Sequence, residues 1–330
     1  ALERATTARE ALTTITTLLA SHGQGGNCGF QNTLYYHNSF LIADPHDAWV
    51  LETAGPHWAA RQVEGVYTIS NGITIGSEWD LASPDLVSHA VEEGWCRGPD
   101  DFDFGACYSD FTMTWLSACR SRRERTMAIL TDHEGEITPA TMMSALRDHG
   151  EDDRRPDVGL IGATVCMHAG FGPVRGSQTT GSMVSHLHPD HPTHFVTGTA
   201  APCTSLFKPV WLDTPLPDMG PTPTGTYDAA TLYWRHEALH RAMLRDYATH
   251  HARIRPEQET LEASFRTRAL AAAERPASER VALATRCFGE AYAAEARWLE
   301  QVSSAESEGR RRWLHALAWK RFNQQAKMPL

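Results

Sequence analysis

The pattern of hydrophobic and polar positions divides the chain into helical and extended segments. The opening segment carries apolar residues at helical spacing, at positions 2, 5, 8, 12, 15, 18 and 19. No Ser, Thr, Asp or Asn precedes the first of them, so the chain is expected to begin inside a helix, with its true N-terminus missing. Residues 33–44 and 47–55 are rich in aromatic and β-branched side chains and are joined by the turn sequence DPHD, which predicts a hairpin. A third strand is predicted over 62–70, because Asn-Gly follows it.

The rest of the chain is predicted to contain helices, a second group of strands and a helical end. Helices are predicted over 84–94, 117–130 and 138–150, the last with Thr138 as its cap. Strands are predicted over 158–168, 178–187, 193–200 and 205–212. From about Asp228 onward the chain is predicted to be mostly helical, with interruptions near Pro256 and Pro276.

Short connections between the strands favour antiparallel pairing, and helices that cover such sheets make a layered α+β fold. A length of 330 residues fits one large domain or two domains of ordinary size. Residues 213–227 are rich in Pro and Gly and read as a linker. The predicted division is therefore a core over 1–212, this linker, and a helical region over 228–330 that packs on the core.

Composition narrows the classes of protein that fit. Hydrophobic residues make up 42% of the chain and charged residues 21%, which allows a sizeable core. The 30 basic and 40 acidic residues give a net charge of −10, so no nucleic-acid partner is expected. No apolar run is long enough for a membrane span. The seven cysteines are widely spaced and include no CxxC pair, which favours reduced thiols in a cytoplasmic protein.

The most conspicuous candidate for metal chemistry is the segment HLHPDHPTH, which contains His186, His188, His191 and His194. Imidazole is a common metal ligand, and the first two histidines alternate on one face of a strand. The prolines between the histidines instead favour a solvent-exposed turn. We therefore predict no metal and no cofactor, and a metal-dependent hydrolase that uses these histidines is kept as a remote alternative.

Two further side chains have a structural and a chemical interpretation. Cys28 follows a Gly-rich turn, and a nucleophile there would need a cationic neighbour or a helix N-terminus to lower its pKa. His22 and His37 are near in sequence, which does not place them near in space, so a buried structural cysteine is favoured. Glu52 lies in an apolar strand, so its carboxylate is either on the wet face or held by partners.

The third group of candidates combines an asparagine with a run of arginines. Asn71 lies at the end of a predicted strand. Its side chain either stabilises the turn that follows or donates a hydrogen bond from its amide to an oxyanion. Arg120 and Arg123 share one face of a predicted helix that also carries Arg122 and Arg125. One arginine that points inward could bind a carboxylate, whereas the others would form a solvated face.

Read in order, several segments resemble the secernin and C69 dipeptidase family. They are GQGGNC, YHNSFLIADPHDAWVLETAGPHWAA, GVYTISNGITI, FDFGACYSD, QTTGSMVSHL, FVTGTAAPCTSLFKPV and YWRHEALHRAMLRDY. The resemblance extends from the first residues to at least Tyr247. It implies an N-terminal nucleophile hydrolase with a four-layer αββα sandwich, here truncated at its N-terminus. It also implies hydrolysis of dipeptides or related small amides, with a small peptide as the partner and a homo-oligomer as an open possibility.

The resemblance also assigns roles to individual residues. The family's nucleophile is a cysteine at the first position of the mature chain, and Cys28 matches an internal cysteine instead. Asn71 resembles an asparagine that holds the substrate or the oxyanion. Arg120 resembles an arginine beside the nucleophile, with Arg122 and Arg123 as alternatives for the same role. Ser182 is expected to form a wall of the substrate pocket.

The resemblance also leaves a second function open. Because the segment with the nucleophile is not among these residues, this part alone is expected to be inactive. A non-catalytic secernin-like protein that acts through binding or regulation is the alternative.

Overall fold

A computed structural model describes residues 1–24, 26–29, 33, 35, 37–110, 117–150, 155–156, 164–172, 175–305 and 313–329. The chain forms two compact units, Ala1–Glu134 and Gly135–Leu330. Each unit contains helices and an antiparallel sheet, which is the mixed α+β class expected from the short strand connections. The Pro/Gly-rich segment 213–227 lies inside the second unit.

The first unit contains a four-stranded sheet in the order β1–β2–β3–β4. The strands are β1 Ser39–Ala43, β2 Ala48–Ala54, β3 His57–Gln62 and β4 Leu81–Ala82. The helices are α1 Ala8–His22, α2 Leu86–Glu92, α3 Phe104–Tyr108 and α4 Cys119–Thr131, with a short 3-10 helix at Pro99–Asp101.

Strand β2 is buried on both of its faces. Trp49 and Leu51 pack with Leu12 of α1 on one face. Val50, on the opposite face, packs with Leu86 of α2 and with residues of α3. Successive side chains of a strand point to opposite sides of the sheet. Because helices cover both sides of β2, residues on both of its faces are apolar, and its sequence contains the uninterrupted apolar run WVL.

Three predictions for this unit have clear outcomes. The hairpin is confirmed, because β1 and β2 pair antiparallel across the predicted turn. The expectation of a start inside a helix is wrong, because α1 begins at Ala8 and the hydroxyl of Thr7 accepts a hydrogen bond from the Glu10 amide. The third strand is also misplaced: β3 follows β2 after a two-residue turn at Gly55, whose φ of 59° suits glycine.

The second unit contains a three-stranded sheet in the order β5–β6–β7 and several long helices. The strands are β5 Met183–His186, β6 Thr193–Val196 and β7 Lys208–Val210. The helices are α5 Pro139–Leu146, α6 Leu232–Met243, α7 Tyr247–Ala272, α8 Ala277–Ser304 and α9 Trp313–Gln325.

Large side chains join this sheet to the helices that follow it. Phe195 and Phe207 of the sheet region form one core cluster with Phe265 of α7 and Trp298 of α8. These side chains are fully buried, so the strands and the helices of this unit share an apolar core. No helix in the described ranges has the length and apolar character needed to cross a membrane.

Some of the predicted helix boundaries of this unit are correct and others are wrong. Thr138 caps α5 through a hydrogen bond to the Thr141 amide, as predicted. Pro276 precedes α8 and ends the helical run before it, also as predicted. Helix α7 however continues through Pro256, because Ile254 and other buried residues hold it against the core on both sides of the proline. Of the predicted strand 158–168, residues 158–163 lie outside the described ranges, and 164–168 form no strand.

Candidate functional site

Asn71 contacts one of the three candidate arginines in the first unit. Its Oδ1 accepts a hydrogen bond from the Arg122 guanidinium, which also donates to the Ser117 carbonyl at 3.2 Å. Arg122 is partly buried, and this burial lowers the pKa of its guanidinium. Arg120 is exposed on a different side of α4, two residues earlier. The structure therefore places Arg122, and not Arg120, beside Asn71.

The first turns of α4 hold the loop that carries Asn71. Arg123 donates to the Thr68 carbonyl at 2.8 Å and lies over the ring of Tyr67. Gly72 packs so closely on Cys119 that an added Cβ would lie 2.6 Å from the cysteine sulfur. A side chain at this glycine would therefore push the loop away from the helix.

The Glu52 side chain also holds the loop that carries Asn71. Its buried carboxylate accepts hydrogen bonds from the Thr74 amide at 2.6 Å, the Thr74 hydroxyl at 2.7 Å and the Ile75 amide at 2.8 Å. Burial raises the pKa of Glu52, and the hydrogen bonds oppose that shift. The interpretation that partners hold this carboxylate is confirmed.

Ser182 lies in the second unit, one residue before β5. Its amide donates to the Thr197 hydroxyl at 2.9 Å, and its carbonyl accepts from the Thr197 amide at 3.0 Å. Its backbone thus continues the β5–β6 pairing, and its side chain is half-buried.

The other candidates from the sequence do not gather into a site. Strand β5 ends at His186 and β6 begins at Thr193, so residues 187–192 of the histidine-rich segment form the predicted turn. His188 is exposed, whereas His194 is buried with its Nδ1 2.8 Å from the Ser185 hydroxyl. Cys28 is exposed in an irregular segment, so the prediction of a buried cysteine is wrong.

A group of potential metal ligands that the sequence analysis missed is buried in the second unit. His149, Cys166, His168 and Cys203 bring one ligand atom each within 4.8 Å of one another. Nε2 of His168 lies 3.1 Å from Nε2 of His149, 3.5 Å from Sγ of Cys166 and 3.3 Å from Sγ of Cys203. We call these four residues the His/Cys cluster.

Backbone pairing brings the segments of the cluster together. The Cys166 amide donates to the Asp148 carbonyl at 3.0 Å, which places the first cysteine beside His149. Met167 exchanges hydrogen bonds with Thr179, whose carbonyl in turn accepts from the Ala201 amide. Three segments that are distant in sequence are therefore linked side by side. The spacing Cys-x-His at 166–168 is the one local signal of a site, and the remaining ligands come from other segments.

Helix α7 and the end of α5 fix the loop around Cys203. Its carbonyl accepts from Gln258 Nε2 at 3.1 Å and lies 3.2 Å from Nε2 of His251. Arg147 donates to the carbonyls of two residues that flank this loop, at 2.7 and 3.0 Å. The same guanidinium forms a bidentate ion pair with Glu262, at 2.7 and 2.5 Å.

His168 is held on the side away from the cluster by a chain of polar side chains on α6. Nδ1 of His168 lies 3.0 Å from Nε2 of His240, and Nδ1 of His240 lies 3.0 Å from the Glu237 carboxylate. Arg241 and Gln178 donate to the same carboxylate at 2.7 and 2.9 Å. Burial alone would raise the pKa of Glu237, but His240 and Arg241 outweigh it and lower that pKa to about 2. The carboxylate is therefore ionised and accepts hydrogen bonds only.

Burial sets the protonation states inside the cluster. It lowers the pKa of His168 to about 4, so this imidazole is neutral at pH 7. Burial also raises the pKa of the Cys166 thiol. It acts in the same direction on Cys203, but the hydrogen bond from Cys166 and the neighbouring histidines outweigh it and lower the pKa of Cys203. A neutral imidazole and a thiolate are the forms that bind transition metals.

Comparison of the sequence with models of known protein families finds no match. The likeness to secernins and C69 dipeptidases therefore rests on the quoted motifs alone.

Proposed function

We propose that this chain belongs to an N-terminal nucleophile amidohydrolase of the dipeptidase type, which hydrolyses dipeptides or related small amides through a cysteine. The contact between Arg122 and Asn71 carries the proposal, because Asn71 lies in TISNG, a segment with specific likeness to that family. The proposal includes a four-layer αββα sandwich, with which the antiparallel sheets and covering helices are compatible.

The contact suggests how Asn71 would act. Its Oδ1 faces the Arg122 guanidinium, so the amide nitrogen points away from that cation and keeps both hydrogens for another acceptor. The side chain is exposed and therefore accessible to a substrate. An amide donor in this position would stabilise the oxyanion of a tetrahedral intermediate, and Arg122 would be the residue that positions it.

The nucleophile would come from the first position of the mature enzyme. An α-amine has a pKa near neutrality and can accept the thiol proton of the same residue. The proposal therefore concerns a mature chain whose first residue is that cysteine. Ser182 is proposed to form a wall of the substrate pocket.

The test is an assay of the full-length protein against a panel of dipeptides and acyl-amides, with the released amine as the readout. Asn71→Ala is expected to lower kcat about 10²-fold, as the loss of an oxyanion donor does. Arg122→Lys should lower kcat as well, because an ammonium lacks the planar fork that orients the amide. Glu124→Gln changes an exposed residue of the same helix and should leave kcat unaltered.

Two results would contradict this proposal at different levels. An unchanged kcat in Asn71→Ala would remove this residue from the site while leaving the activity assigned. The absence of hydrolysis across the whole panel would overturn the amidohydrolase itself. The non-catalytic secernin-like protein that acts through binding would then be the better account.

A further inference from the structure

We propose that the His/Cys cluster of the second unit binds one Zn²⁺ ion in a closed, tetrahedral, structural site. The four ligands would be His149 and His168 through Nε2, and Cys166 and Cys203 through Sγ. This site is independent of the proposed amidohydrolase activity, which involves Asn71 in the first unit.

The polar chain behind the cluster holds one ring nitrogen of His168, and the other ring nitrogen faces into the cluster. Nδ1 of His168 lies beside Nε2 of His240, and Nδ1 of His240 lies beside the Glu237 carboxylate. Nε2 of His168 points at Nε2 of His149 and at two sulfurs. One ring nitrogen makes a well-directed hydrogen bond to only one of three such neighbours, whereas a cation at the centre uses a lone pair from all four atoms.

The distances from Nε2 of His168 to the other three ligand atoms fit a single tetrahedral ion. With Zn–N of about 2.0–2.1 Å and Zn–S of about 2.3 Å, tetrahedral geometry separates two nitrogens by about 3.3 Å and a nitrogen from a sulfur by about 3.5 Å. The corresponding separations are 3.1 Å between the imidazole nitrogens, and 3.5 and 3.3 Å from His168 to the sulfurs. A two-iron cluster with this ligand set holds its histidines and cysteines on different irons, which would move His168 away from both sulfurs.

Burial identifies the site as structural. The side chains of His149 and His168 belong to residues only 4% exposed, and the two cysteines are as deeply buried. A catalytic zinc needs an open position for water, whereas four protein ligands close the coordination shell. The ion would cross-link three segments of the chain that the helices already hold in place.

The donor set selects the metal. Two thiolates and two imidazoles in tetrahedral geometry favour Zn²⁺, whereas Mg²⁺ and Ca²⁺ require oxygen ligands. The contact of His168 with His240, and of His240 with Glu237, is the outer support that zinc-binding histidines commonly have.

The first experiment measures metal content in the full-length protein purified from zinc-supplied medium. Elemental analysis is expected to find about one zinc per chain in the wild type and almost none in Cys203→Ser. Cys287→Ser is the matched control, because Cys287 is also a buried cysteine of this unit but lies outside the cluster. This control should retain the ion. His240→Gln should weaken zinc binding about 10–100-fold in competition with a chelator, because it removes the support of His168.

A second measurement needs no variant, so a failure of Cys203→Ser to fold does not affect it. X-ray absorption at the zinc edge of the wild-type protein should show two sulfurs at about 2.3 Å and two nitrogens at about 2.0–2.1 Å. A first shell of nitrogen and oxygen only would overturn the proposal. So would a wild-type protein that takes up no zinc even after refolding with the metal, or equal zinc content in Cys203→Ser and the wild type.

Discussion

Removal of one partner of the ion pair between Arg147 and Glu262 should strongly destabilise the second unit, and Glu262→Gln tests this directly. Glu262 is 2% exposed, and its carboxylate accepts two hydrogen bonds from Arg147 and a third from the Phe207 amide at 2.8 Å. Glutamine has nearly the same shape but no charge. The substitution therefore leaves a largely buried guanidinium without its counter-ion.

The expected loss follows from these contacts. Removal of one partner of a buried ion pair costs about 3–5 kcal/mol, because the remaining charge stays buried. Glutamine still offers one oxygen to the Phe207 amide, and Arg147 keeps its bonds to backbone carbonyls. We therefore expect the lower end, about 3 kcal/mol. In a unit of this size such a loss lowers Tm by about 6–12 °C.

The chain offers a matched control three residues earlier on α7. Glu259 pairs with Arg255 at 2.8 Å, but both side chains are more than half exposed. Glu259→Gln should therefore change the free energy of unfolding by about 0.5 kcal/mol or less. Thermal unfolding followed by far-ultraviolet circular dichroism reports mainly the long helices α7 and α8, so it monitors this unit. If the two variants lose equal stability, to within about 0.5 kcal/mol, the buried pair does not have the role assigned to it.

Three further variants test other parts of the structure. Gly72→Ala should destabilise the first unit by about 1–3 kcal/mol, because the added Cβ would meet the Cys119 sulfur. Urea unfolding should show that the double variant Gly72→Ala, Cys119→Ala regains this stability. Because the pKa of Glu237 falls from its ordinary value of 4.5 to about 2 on folding, its contribution of about 3 kcal/mol is present above pH 4.5 and lost as the pH falls towards 2. Urea titrations of metal-free protein should show this acid dependence in the wild type and a shallower one in Glu237→Gln. Pro256→Ala should raise Tm, because alanine restores a helical amide and costs up to about 3 kcal/mol less in a helix interior; an unchanged Tm would show that the proline is fully accommodated.

The parts of the fold that the sequence predicts correctly depend on local signals. The β1–β2 hairpin follows from two β-rich runs on either side of the turn DPHD. The start of α5 follows from Thr138 and the proline after it, and the break before α8 follows from Pro276. In each case the residues that decide the structure are neighbours in the chain.

Distant contacts determine the features that local sequence signals do not. The Asn-Gly pair at 71–72 predicts a strand that ends just before it. Strand β3 instead lies earlier in the chain, because the turn at Gly55 brings the chain straight back to pair with β2. The choice of Arg122 over Arg120 depends on which side of α4 faces the loop of Asn71, and helical spacing alone does not determine this.

The His/Cys cluster was missed for the same reason. Its ligands lie on segments joined by tertiary pairing, so a search for CxxC or for dense histidines finds the histidine-rich segment 186–194 instead. The Cys-x-His pair at 166–168 becomes informative only when the structure places His149 and Cys203 beside it.

Glu237 and Glu262, two of the buried carboxylates of the second unit, have a common consequence for the cluster. Glu237 on α6 acts through His240 on His168, and Glu262 on α7 acts through Arg147 on the loop of Cys203. Buried charges contribute little net stability compared with apolar residues of similar volume, so stability alone does not explain two such residues. They do fix the orientation of one nitrogen ligand and one sulfur ligand from two different helices. A metal site needs that orientation before the ion arrives, because ligands misplaced by a fraction of an ångström bind weakly. Glu237 and Glu262 are therefore best understood as the support of the cluster.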